Sequence, residues 1–137
     1  MRWVIESQDA PPVRAPYSPA IGAAGAFVFL SGQGPFTPKG VLVEGSFADQ
    51  ARQTFRNVEA LVRASGGTMA DVVRVGVYLR DMSRDFSEMN QIYEEFFPHP
   101  LPARTTIPTP LPRFDIEVDA VVAVPHPQEL GAGRGES

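Results

Sequence analysis

The run Pro98-His99-Pro100-Leu101-Pro102-Ala103-Arg104-Thr105-Thr106 constrains the fold more than any other stretch. Each proline fixes φ and removes a backbone N–H, so the run belongs to neither a helix interior nor a central strand. A segment this stiff holds the next residues of the chain in a set place. Among them is Arg104, whose planar guanidinium suits a carboxylate gripped through two parallel hydrogen bonds. Most arginines are surface charges, so the rest of the chain must decide between clamp and surface.

At 137 residues the chain is expected to form one domain, with residues 126–137 as a flexible tail. A chain of this size can bury a core without metal or disulfide staples. The sequence contains no cysteine, which excludes disulfides, thiolate nucleophiles and cysteine metal sites. Its two histidines, His99 and His126, both stand beside prolines, so neither a metal centre nor any other cofactor is expected. A net charge of −4 argues against broad nucleic-acid binding, which needs a basic face. No apolar stretch reaches the ~18 residues of a membrane span. Residues 1–10 carry Glu6 and Asp9 and lack an apolar core, so no secretory signal is read and the cytoplasm is the expected compartment.

Residues 2–6 predict a short strand, and Pro16-Tyr17-Ser18-Pro19 a rigid turn carrying an aromatic hydroxyl. Tyr17 fits a core residue with a wet tip and a site residue equally well. Residues 26–31 are a continuous run of β-formers and predict a buried strand. It closes on Ser31-Gly32-Gln33-Gly34-Pro35, where two glycines around a glutamine suggest a bulge or a close backbone approach. No Gly-Lys-Ser/Thr comes after it, so this is no phosphate loop. Thr37-Pro38-Lys39-Gly40 predicts a hairpin turn and Val41–Val43 its returning strand.

Ser46 to Ser65 predicts a helix, with Ser46 as cap and Asp49 in its first turn. Phe47, Ala51, Phe55, Val58 and Val62 recur at spacings of three and four, and Gly66-Gly67 ends the pattern. Residues 72–79 predict a strand interrupted by Arg74. Residues 81–97 predict a second helix, capped by Ser83, with Phe86, Met89, Tyr93 and Phe96/Phe97 facing inward. Asn90 sits beside that stripe, the place of an ordinary boundary residue. Residues 114–124 predict the last strand, whose first half alternates Phe114, Ile116 and Val118 against Asp115, Glu117 and Asp119. Three carboxylates on one face repel unless that face is wet or meets cations.

Strands before each helix, with the helices on one side, predict a two-layer α+β fold. Phe29, Val75 and Val77 lie on strands too apolar for an open surface, so sheets of neighbouring subunits are expected to pack together. Trimeric closure would cover every sheet.

Taken in order, Pro16-Tyr17-Ser18-Pro19-Ala20, Phe29-Leu30-Ser31-Gly32-Gln33-Gly34-Pro35, residues 50–61, Asp71-Val72-Val73, Tyr78-Leu79-Arg80-Asp81-Met82, Asn90-Gln91-Ile92-Tyr93 and Pro102-Ala103-Arg104 resemble the RidA/YjgF family. The resemblance implies a chorismate-mutase-like α+β fold with a mixed sheet, a homotrimer with sites between subunits, and hydrolysis of 2-imino or 2-enamino acids to 2-oxo acids and ammonia. By the same resemblance Arg104 holds the substrate carboxylate, Glu117 positions the attacking water, and Tyr17, Ser31, Gly32, Gln33 and Asn90 line the pocket. Backbone N–H groups at Thr105 and Thr106 would meet developing charge. One clamp arginine and one carboxylate on an adjoining strand, with no nucleophile or metal, suit an electrophile as reactive as a protonated imine.

Thr106 stands where family deaminases commonly have cysteine. The segment between Arg104 and Glu117 is shorter than usual and carries Pro108, Pro110 and Pro112, and Gly34 replaces a branched apolar residue. Two rival readings share this pocket: a trimer that binds a small carboxylate without chemistry, and a family member acting on an aminoacrylate-type catabolic intermediate. A ribonuclease, the activity attached to some family members, fits poorly with an acidic chain lacking a placed histidine pair.

Overall fold

The helices begin and end where their capping residues stand. In the computed structural model, which describes residues 1–125, α1 spans Phe47–Ala64 and α2 spans Met82–Phe96. Ser46 and Asp49 form a reciprocal capping box at the start of α1. Gly66, at φ 95°, supplies the left-handed turn after its end. At α2 the cap is Asp81, which accepts from the Arg84 N–H at 3.1 Å; Ser83, the expected cap, only donates its hydroxyl to Asp81.

Six strands accompany the helices: β1 (Arg2–Ile5), β2 (Ala20–Ala23), β3 (Ala26–Gln33), β4 (Val72–Leu79), β5 (Ala103–Pro108) and β6 (Ile116–Val124). β1 and β2 form a separate antiparallel pair, and the other four make one mixed sheet in the order β3-β6-β4-β5. β5 runs parallel to β4, while β6 is antiparallel to both of its neighbours. The expected two-layer α+β arrangement is therefore present. Val75, Val77 and Leu79 of β4, with Ile116, Val118, Ala120 and Val122 of β6, meet the inner stripes of α1 and α2 in one core. No helix among the described residues is long and apolar enough to cross a membrane.

Several expectations need correction. Val41–Val43 forms no strand; a single bridge between Phe36 and Leu42 closes that turn. β2 was not anticipated, because Ala20-Ile21-Gly22-Ala23 is too short and too small to show a pattern. The last strand starts at Ile116, since Asp115 turns aside to ion-pair with Arg80 at 2.6 Å. β3 is not buried on both faces: Phe29 is 75% exposed and Phe27 49%. Val75 and Val77, expected on the open face, are instead fully buried beneath the helices, because a two-residue period sends them to the core side while Arg74 points outward. The tail expected over residues 126–137, with His126, lies outside the described residues.

The proline-rich run ends on the free edge of the sheet, where a missing N–H costs no ladder bond. Arg2 donates from Nε to the Ala70 carbonyl and from Nη2 to that of Pro100, tying the N-terminus to this run. Ser18 grips it from the other side, its N–H donating to Pro102 at 3.0 Å and its hydroxyl to Leu101 at 2.5 Å.

Phe55 is the junction between the two helices. Its ring lies 5.8, 5.4 and 6.0 Å from those of Tyr93, Phe96 and Phe97, and it is fully buried. Phe55→Ala is expected to cost about 3–5 kcal/mol, measured from the shift in urea midpoint at fixed protein concentration.

Candidate functional site

Strand register decides where the clamp arginine points. Arg104 pairs with Val75 and Thr106 with Val77, and side chains directly across a ladder share a face. Arg104 and Thr106 therefore project to the helix side of the sheet. Because β5 is the edge strand, they arrive at the flank of α2 rather than in the core. There the guanidinium carbon of Arg104 lies 4.9 Å from the ring centre of Tyr93, 5.5 Å from Tyr17 and 5.8 Å from Phe86. Nη1 donates to the Pro16 carbonyl at 3.4 Å, and Nε is buried without a partner. Among the described residues no carboxylate pairs with Arg104. Burial lowers its pKa, opposed by Tyr93 and Tyr17, but guanidinium remains charged in proteins.

In front of the cation is a cavity of about 300 Å³, walled by Arg104, Thr106, Tyr17, Phe86, Met82 and the residues just before Tyr17. The Thr106 hydroxyl is buried with no partner. Tyr93 also has a buried, unpartnered hydroxyl, and burial pushes its pKa far above the usual tyrosine range against the pull of Arg104 and Arg2. Asn90, four residues after Phe86 and three before Tyr93, shares that flank of α2. Its Oδ1 is buried and unpartnered, and it does not wall the cavity.

The remaining site residues gather elsewhere. Glu117 lies between the core residues Ile116 and Val118 and opposite Tyr78, so it projects from the face away from the helices. β4 lies between β6 and β5, so the carboxylate is not on a strand adjoining that of Arg104, contrary to expectation. The β3–β6 register breaks between Leu30 and Gln33, and this bulge carries Ser31 and Gly32 outward, as the two glycines suggested. A Cβ on Gly32 would collide with the Glu117 carboxylate, so glycine is what lets the two lie side by side. Gln33 donates its side-chain amide to the Ser31 carbonyl at 3.1 Å. A cavity of about 470 Å³ is walled by Gly32, Gln33, Gly34, Phe114 and Glu117. Thr105 pairs with Gly76 and is exposed on this same open side.

The carboxylate row of the last strand resolves into three different residues. Asp115 is held by Arg80 and Arg84, at 2.6 and 3.4 Å, and Asp119 accepts from the Tyr78 hydroxyl at 3.0 Å. Among the described residues Glu117 alone of the three has neither an ion pair nor a hydrogen bond. One chain thus presents two half-sites on opposite sheet faces: an arginine without an acid, and an acid without a base.

Sequence reasoning missed three contributors. Asn57 on α1 donates to the carbonyls of Gly34 and Phe36 at 3.0 and 2.8 Å and accepts from Gln53 at 3.0 Å, pinning the glycine turn. The Gln53/Asn57 pair at one-turn spacing was the available signal. Phe86 and Tyr93 had registered only as core, because nothing local shows that an edge strand delivers a cation to them.

Fold and site together define a two-layer α+β protein with a ring-walled arginine at a sheet edge, unpaired with any carboxylate among the described residues. A family model described as Endoribonuclease L-PSP matches residues 7–124. A RutC family protein of Pyrococcus horikoshii is 43% identical over 124 residues, which cover 88% of this chain and 97% of the relative. A 2-iminobutanoate/2-iminopropanoate deaminase of Dermatophagoides farinae is 38% identical over 124 residues, covering 88% and 95%. The crystal structure of YyfB, a Rid family protein of Yersinia pestis, matches with a TM-score of 0.75 at 27% identity over 90% of this chain and 98% of that one. The chain belongs to the Endoribonuclease L-PSP family, the YjgF/RidA proteins.

Tyr93 offers a test of the cage. Its folded pKa is raised, so stability is at its plateau below the unfolded tyrosine value of about 10 and falls as pH rises from there through the folded value. Tyr93→Phe keeps the ring under Arg104 and removes an unpartnered hydroxyl. It is expected to change stability at pH 7 by less than about 1 kcal/mol and to flatten the alkaline loss, read from urea unfolding between neutral and alkaline pH.

Proposed function

We propose that this protein hydrolyses 2-imino and 2-enamino acids to 2-oxo acids and ammonia. The observation that carries the reading is Arg104, a half-buried cation with aromatic walls and no acid partner among the described residues. Each ring contributes on the order of 1 kcal/mol, and a carboxylate bound through two charge-assisted hydrogen bonds is a stronger partner than any of them. Membership of a family that includes a 2-iminobutanoate/2-iminopropanoate deaminase supplies the reaction class.

In this mechanism Arg104 grips the substrate carboxylate, and Tyr17 and Thr106 bound the space beside it. Glu117 of the partner subunit comes across a subunit boundary, with the Ser31-Gly32-Gln33 turn beside it, and completes the site. The reading therefore requires assembly, and a homotrimer covers the exposed Phe27 and Phe29 at the same time. Water held by Glu117 adds to C2 of the protonated imine, giving a carbinolamine. Glu117 takes a proton from the attacking oxygen and returns it to nitrogen. The C–N bond breaks as the C=O forms, Glu117 takes up the remaining hydroxyl proton, and ammonia leaves and carries that proton off as ammonium. Past the Ser18–Ala103 bridge the outer edge of β5 has no strand partner, and because N–H groups alternate between the two edges, the outward donor left for developing charge is the Thr106 N–H.

The ribonuclease named by the family model finds less support. The chain carries a net charge of −4, and His99 is exposed and placed 3.6 Å from Glu94 rather than beside Arg104.

The test generates imines with an amino-acid oxidase and monitors semicarbazide trapping with and without the protein. Faster ammonia and oxo-acid release is expected; unchanged release rejects the reading. Arg104→Ala is expected to abolish activity with oligomer mass unchanged by light scattering. Glu117→Gln is expected to lower kcat by about 10²–10⁴-fold with KM little altered. A single-chain mass for the wild type would remove the shared site.

A further inference from the structure

The Arg104 cavity has a second cationic wall. Arg14 lines it together with Tyr17, Met82, Phe86, Arg104 and Thr106. No residue on that wall is acidic, and among the described residues Arg14 makes no ion pair. Arg14 and Arg104 both border this one space, and two cations beside one cavity attract an anion with two negative ends.

The backbone beside Arg14 is restrained. Pro11 and Pro12 precede it and Pro16 comes after, so the backbone on either side has restricted φ. The Tyr17 N–H closes a tight turn onto the Ala15 carbonyl at 2.8 Å, and Arg104 Nη1 anchors the Pro16 carbonyl at 3.4 Å. The segment that carries Arg14 is thereby tied to the cation it would work with. Met82 and Phe86 give the same cavity an apolar wall, which suits methylene groups.

The geometry points to Arg14 as a specificity residue that selects 2-imino acids carrying a second carboxylate, with Arg104 on the C1 carboxylate and Arg14 on the distal one. The substrates so defined are the imines of four- and five-carbon 2-amino dicarboxylic acids. The inference rests on the deaminase reading for its chemistry; the hydrolysis is the same, with water entering at C2 and ammonia leaving.

The experiment compares imines made by oxidases from aspartate and glutamate with that made from 2-aminobutanoate, each by semicarbazide competition. The wild type is expected to favour the dicarboxylic imines in kcat/KM by about tenfold or more, the worth of one charge-assisted hydrogen bond. Arg14→Gln is expected to collapse that ratio towards one, and Arg14→Lys to restore part of it. Turnover of the monocarboxylic imine with no dicarboxylic preference, or a ratio unmoved by Arg14→Gln, overturns the assignment while leaving the deaminase reading intact. If no imine is turned over, the deaminase reading fails and calorimetry decides the second arm. Tighter binding of 2-oxoglutarate than of 2-oxobutanoate, lost in Arg14→Gln, upholds it, and equal affinities overturn it.

Discussion

The parallel pairing of β4 with β5 is the constraint on which the site depends. It sets Arg104 against Val75 and Thr106 against Val77, so both side chains leave the sheet on its helix side. On a central strand that direction would bury a guanidinium in the core among Val75, Val77 and Val118, a placement charged groups almost never survive unpaired. On the edge strand the same direction ends beside α2, where rings replace aliphatic side chains and one side stays open to ligand. An edge strand is also what tolerates the prolines leading into β5. Stiffness before the arginine and an arginine without an acid partner among the described residues are consequences of one position in the sheet.

The sheet then separates acid from cation. β6 offers its even-numbered residues to the core, which obliges Glu117 to face the other way. The bulge at Ser31–Gly32 and the missing Cβ of Gly32 give the carboxylate a place to lie without a protein hydrogen bond. Asp115 is ion-paired with Arg80 and Arg84, and Asp119 accepts a hydrogen bond from the Tyr78 hydroxyl. A free acid on one face and a free cation on the other can meet over one substrate only if a second chain turns the opposite face towards the first. The exposed aromatic rings of β3 lie on the acid's side of the sheet, so the apolar contact that would drive assembly and the residue that would need it belong together.

Much of this was legible in the residues. The capping box at Ser46 and Asp49, the stripe through Phe55 and Val58, and the alternation through Val118 each rest on spacing that only one secondary structure satisfies. The stiff approach to Arg104 was legible as well, because proline acts through its own ring. The illegible part depends on register between distant strands. Nothing near residue 104 shows that β4, and not β6, is its neighbour, or that Val75 stands opposite it. For the same reason Phe86 and Tyr93 looked like any inner helix face. Val41–Val43 failed in the other direction, since three β-formers make a strand only where a partner edge is free, and here the chain meets just one bridging residue.

Thr106 is where local chemistry and register combine. Its hydroxyl is buried and unpartnered on the wall of the Arg104 cavity, two residues along the strand from the clamp and therefore on the same face. A buried hydroxyl without a partner costs stability that a methyl group of the same shape would not. The site thus holds an unused hydrogen-bond donor beside an unused cation, and both deficits are relieved by the same occupant, a carboxylate whose oxygens accept from the guanidinium and the hydroxyl together. That shared relief is what the proposed substrate carboxylate would bring to the cavity. It gives threonine a polar role that neither its backbone nor its size would explain.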